Sequence, residues 1–115
     1  MKCLFILNDS PYGTQRTYNA LRMATALAKT SAGVRVFLLG DGVTAALSGL
    51  NPAHADYNPQ GMLTFLAQRG AQIGVCRTCL EMRGIPDASL IAGANRSTMD
   101  ELISWTEQSD KVLIF

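Results

Sequence analysis

Lys2-Cys3-Leu4-Phe5-Ile6-Leu7 runs straight into Asn8-Asp9-Ser10-Pro11-Tyr12-Gly13. The first stretch is apolar at consecutive positions rather than alternate ones, so the strand it predicts is covered on both faces. The turn formers that follow stop it. A strand buried on both sides belongs inside a mainly parallel sheet, whose crossovers lay helices above and below.

The same grammar repeats outward. A helical pattern spans 14–30, with Leu21, Ala24, Leu27 and Ala28 on one stripe, and Gly33 ends it. A second strand is expected over 34–39, then the turn Gly40-Asp41-Gly42 and a short helix over 43–47. Residues 49–59 are irregular and hold the only histidine, His54. A helix over 58–69 carries Met62, Phe65 and Leu66 and stops at Gly70. The third strand, 71–75, leaves Cys76 at its carboxyl end. A brief helix over 78–83, a short strand over 89–92, a helix to residue 109 opened by the Thr98/Glu101 capping box, and a last strand over 111–115 complete the chain. Strands alternating with helices imply βαβ units and about five strands in an α/β fold. Reactive groups in such folds collect at the carboxyl ends of strands, which is where Cys76, Asp41 and the 8–13 loop fall.

Composition narrows the function. The 115 residues are 48% hydrophobic and 17% charged, which suits one ordered domain over residues 1–115. A net charge of +1, with basic residues scattered singly, argues against nucleic acid as a partner. No run approaches the ~20 apolar residues of a membrane span, and Cys3–Leu7 is too short for a signal-peptide core. Three cysteines is an odd count that fits a reduced cytoplasm. The loop after the first strand has neither the Rossmann nor the P-loop glycine pattern, so no nucleotide cofactor is expected, although the loop is placed to cradle an anion.

The chemistry centres on Cys76-Arg77-Thr78-Cys79. A thiol where a strand gives way to a helix meets unsatisfied N–H groups and the positive end of the helix dipole, which favours thiolate; Arg77 and Arg83 are near in sequence to add to it. Only a thiolate attacks sulfur, so such a site accepts and passes on a sulfur atom as a persulfide. The plainer reading makes Cys76 and Cys79 small core residues at a corner. Thioredoxin-type exchange is the rival use of the motif, but no aromatic precedes Cys76 and no Gly-Pro separates the cysteines. A structural zinc site needs four ligands, and only Cys3 and His54 remain, so no metal is expected.

With these residues assembled, the chain resembles the DsrE/DsrF-like family of small sulfur-relay proteins, most closely its YchN-type subgroup. The resemblance rests on the order and spacing of Ser10-Pro11-Tyr12-Gly13, Asn19-Ala20-Leu21-Arg22, Asp41-Gly42-Val43-Thr44-Ala45, Tyr57-Asn58 before Met62-Leu63, Cys76-Arg77-Thr78-Cys79, Arg83-Gly84-Ile85, Trp105-Thr106 and Asp110-Lys111-Val112-Leu113. It implies a three-layer α/β/α sandwich and a homohexamer, a dimer of trimers, that exchanges sulfur with donor and acceptor proteins. It implies Cys76 as the persulfide carrier, with Cys79 secondary. Cys79 departs from the relay subunits' usual pattern and is shared mainly with the YchN-type branch. The anion-stabilising and pocket residues expected around Cys76 are Arg83, Arg77, Asp41, Tyr12 and Gly13. A thiol-disulfide redox sensor using both cysteines, and a non-catalytic oligomeric binding module, stand as alternatives.

Overall fold

The computed structural model describes residues 1–115 and contains a five-stranded, wholly parallel sheet in the order β4-β3-β2-β1-β5. The strands are β1 (Lys2–Leu7), β2 (Gly33–Leu38), β3 (Gln72–Cys76), β4 (Ala94–Ser97) and β5 (Lys111–Ile114). The helices are α1 (Arg16–Ala28), α2 (Pro59–Gln68), α3 (Arg77–Met82) and α4 (Met99–Gln108), with a 3-10 helix over Gly40–Ala46 after β2 and a 3-10 turn at Asp87–Ser89. None of the helices is long and apolar enough to cross a membrane.

β1 is the doubly covered strand that its sequence predicts: five of its six residues are buried, and it pairs with β2 on one side and β5 on the other. Phe5, Leu4, Leu7, Phe37, Leu38, Leu21, Leu63 and Leu66 are essentially inaccessible to solvent. Each contributes about 1.5–3 kcal/mol of hydrophobic stabilisation. Right-handed crossovers from β1 through β4 step the chain one way across the sheet and place α1, α2 and α3 on one face. The connection from β4 to β5 runs back the other way, so α4 covers the opposite face and makes the third layer. There Trp105 of α4 meets the edge of the Phe37 ring at 5.9 Å between centroids, and Arg35 lies over its indole at 5.2 Å.

Most helix boundaries fall within two residues of the sequence-based ones. The short fourth strand does not: it is Ala94–Ser97, not 89–92. The apolar stretch read as a strand is a loop in which Leu90 makes an isolated antiparallel bridge with Leu47. The true strand lies at the sheet edge and buries only Ala94 and Ser97, so it has no apolar run to announce it.

Candidate functional site

Two strand ends make the site. In register, Cys76 of β3 stands beside Ser97 of β4. The helix after β3 crosses one face of the sheet and the helix after β4 the other, so the chain parts between these two residues. Such a topological switch point is where open α/β sheets leave a crevice. The crevice is present, about 570 Å³ in volume, bounded by Cys76, Arg77, Thr78 and Cys79 on one side, Ser97, Thr98, Met99 and Asp100 on the other, with Leu39 of the neighbouring strand end.

Local structure fixes both walls. Cys76 is the last residue of β3 and the N-cap of α3, where its Sγ accepts the Cys79 backbone N–H at 3.4 Å. Thr98 caps α4, its hydroxyl accepting the Glu101 N–H at 3.2 Å, as the capping-box spacing predicts. The Glu101 carboxylate accepts a short hydrogen bond from the Ser97 hydroxyl instead of reaching back to the cap. Gly74, two residues before Cys76, leaves room for the Phe37 ring under the crevice floor.

Cys76 is 9% exposed, and its thiol is raised above its ordinary pKa. Burial is the chief cause, followed by a hydrogen bond with the Cys79 side chain; the Cys79 and Thr78 backbone N–H groups pull the other way. This corrects the expectation of a thiolate favoured at a helix start. The helix N–H groups act in the expected direction, but desolvation of the charged form outweighs them. The fold therefore favours the protonated form of Cys76.

Cys79 is half-buried, and its Sγ accepts the Gly40 backbone N–H at 3.2 Å. Gly40 begins the 3-10 helix with a φ of +54°, a left-handed value that glycine adopts without strain. The two sulfurs of the pair are thus held by different elements, Cys76 by the start of α3 and Cys79 by the exit of β2. Cys3 is buried within β1, away from both.

Of the arginines expected to stabilise an anion at Cys76, Arg77 borders the crevice and Arg83 is engaged elsewhere. Arg83 Nη2 and Nε donate to one Asp41 carboxylate oxygen at 2.7 and 3.2 Å, and its Nη1 donates to the Cys79 carbonyl at 3.1 Å. Arg83 and Asp41 therefore tie α3 to the turn that bears Gly40, rather than lining the crevice. Arg77 borders the crevice, with its guanidinium 3.9 Å from Glu81, which also pairs with Arg96. Tyr12 and Gly13 lie outside the crevice. The Tyr12 hydroxyl donates to Gln60 Oε1 at 2.8 Å, and its ring leans on Tyr57, which stacks on Tyr18. The loop expected to cradle an anion is served by its own carboxylate: Asp9 accepts from Thr14 and pairs with Arg16. His54 is exposed in the loop before α2. Nowhere do three His, Cys, Asp or Glu side chains gather as a metal site would need.

Sequence reasoning missed Gly40, Ser97 and the Thr98–Asp100 wall. The Gly40-Asp41-Gly42 turn was visible, but not that its first N–H faces a sulfur. Ser97 was hidden by the misplaced fourth strand.

Comparison with known proteins matches residues 1–115 to the model of the DsrE/DsrF-like family. The chain is 40% identical to the protein YchN of Escherichia coli (strain K12), over 99% of this chain and 98% of that protein. It is 36% identical to the uncharacterized protein MJ0989 of Methanocaldococcus jannaschii over the full length of both. Among solved structures, the crystal structure of the ychN protein from E. coli superposes with a TM-score of 0.94 at 39% identity, covering 100% of this chain and 99% of that one.

Proposed function

The chain belongs to the DsrE/DsrF-like family, in its YchN subgroup, and from that premise we propose that it carries sulfur as a persulfide on Cys76. DsrE/YchN-type proteins are sulfur-relay, persulfide-carrying proteins, and this chain holds a second cysteine close to the first. The observation that supports Cys76 as the carrier is its place on the crevice between β3 and β4. One added sulfur fits that space many times over.

The raised thiol has a chemical use. Protonation keeps the resting sulfur slow to react, and transfer starts from a small thiolate fraction whose higher pKa makes each thiolate the stronger nucleophile. The outer sulfur then waits at the crevice mouth for an acceptor. Such relay proteins work on other sulfur-transfer proteins. In the full proposal residues 1–115 act as one domain, assemble as a homohexamer built from two trimers, and work in a reducing cytoplasm, where three free thiols persist. Arg83 and Asp41 serve here as positioning residues for the α3 start.

The test uses the Cys79→Ser chain, so that only one thiol of the pair remains. Treatment with inorganic polysulfide, followed by mass spectrometry, is expected to show one added sulfur on Cys76. Replacing Cys76 by Ser in the same background must abolish the addition. An unmodified Cys76 after treatment removes the proposal.

A further inference from the structure

From the way the two sulfurs are held, we infer that Cys79 discharges Cys76: it attacks the persulfide at the inner sulfur, releases sulfide and closes a Cys76–Cys79 disulfide. The inference rests on the reading of Cys76 as a sulfur carrier and adds a second outcome to it. Sulfur bound there either leaves with an acceptor or is lost as sulfide.

Three features support it. Cys76 lies at the N-cap with ψ 118°, outside the helix proper, and its Sγ is drawn over the first turn onto the Cys79 N–H. That arrangement brings residues 76 and 79 together, as in the C-x-x-C pairs of disulfide oxidoreductases. The Gly40 N–H donates to the Cys79 sulfur at 3.2 Å, which anchors that side chain between α3 and the exit of β2. Third, the Arg83 guanidinium holds the Cys79 carbonyl and Asp41 together, which keeps the Gly40 turn and α3 in fixed relation.

The step balances without an outside oxidant. Cys79 loses its proton to solvent and its thiolate bonds to the Cys76 sulfur. The bond between that sulfur and the outer one breaks, and the outer sulfur leaves with the electron pair as hydrosulfide. The sum is Cys76–S–SH plus Cys79–SH giving a disulfide plus hydrogen sulfide. The carried sulfur is reduced and the two protein thiols are oxidised. Returning the pair to thiols takes a dithiol reductant.

Wild-type chain and the Cys79→Ser and Cys79→Ala variants are loaded briefly on ice under argon with inorganic polysulfide at mildly alkaline pH, freed of donor by rapid desalting, and warmed. Sulfide is trapped with a bimane reagent and intact masses are read. The inference expects wild type to release one sulfide per chain and to finish two hydrogens lighter than the reduced protein. Both variants are expected to keep their added sulfur. A wild-type chain that keeps its sulfur as long as the variants overturns the inference and leaves the carrier reading standing. Variants that never take up sulfur overturn the carrier reading, and the inference with it.

Discussion

Replacing Gly74 by alanine tests the link between the packing of the sheet and the crevice. An added Cβ would lie 2.9 and 3.1 Å from two Phe37 ring carbons and 3.2 Å from the Ser97 Cβ. Neither neighbour is free to retreat, because Phe37 is fully buried against Trp105 and Ser97 is 4% exposed and bonded to Glu101. Overpacking of this kind costs about 1–3 kcal/mol. Alanine recovers about 0.5–1 kcal/mol of it, because glycine loses more backbone freedom in a strand. Taking the middle of each range, the net loss is about 1.3 kcal/mol. With an unfolding entropy of about 2.1 cal/mol/K per residue, or about 0.24 kcal/mol/K for the chain, the melting temperature falls by about 5 °C. Calorimetry reads that fall, and a double-mutant cycle with Phe37→Leu isolates the contact. Shortening the ring should recover about 1 kcal/mol of the Gly74→Ala penalty. An unchanged melting temperature in Gly74→Ala, or strictly additive losses in the double variant, refutes the claim that the glycine exists for the ring.

Other expectations concern the thiol and the crevice walls. Alkylation of Cys76, followed by intact mass in the Cys79→Ser chain, is expected to be slower at neutral pH than that of a free thiol and to rise through a midpoint above the usual thiol value; a midpoint below it contradicts the desolvated site. Because the Cys76 thiol is raised in the fold, its contribution to stability is fully present below the unfolded thiol pKa of about 8.5 and is lost as pH rises through the folded value. Chemical denaturation across that window should show wild type losing more stability than Cys76→Ser, and parallel curves would count against it. Thr98→Ala removes the cap of α4 and should cost about 1 kcal/mol in urea unfolding, with no loss expected if the Glu101 N–H finds water as readily.

How much of this was legible beforehand depended on what each residue needed from distant neighbours. β1 declared itself because covering a strand on both faces demands consecutive apolar residues, and α4 because its cap is local. Cys76 at a strand end followed from the same patterning. Its protonation did not, since desolvation depends on how tightly β3, β4 and the loops close around the sulfur. The partners of Arg83 and Arg77 were equally out of reach: a guanidinium near a cysteine in sequence says nothing of Asp41, brought from 42 positions away. β4 was misplaced because an edge strand buries few side chains, and the error concealed Ser97.

β5 joins the sheet only beside β1, and the Lys2 backbone N–H meets the Asp110 carboxylate across 108 positions of sequence. Closing so long a loop is slow, since its entropy cost comes before any contact repays it. Until β5 arrives, one flank of Cys3-Leu4-Phe5-Ile6-Leu7 offers unpaired backbone groups on a greasy, uncharged ribbon. Concentrated refolding should therefore tend towards intermolecular strand pairing at this ribbon, and dilution should restore the yield.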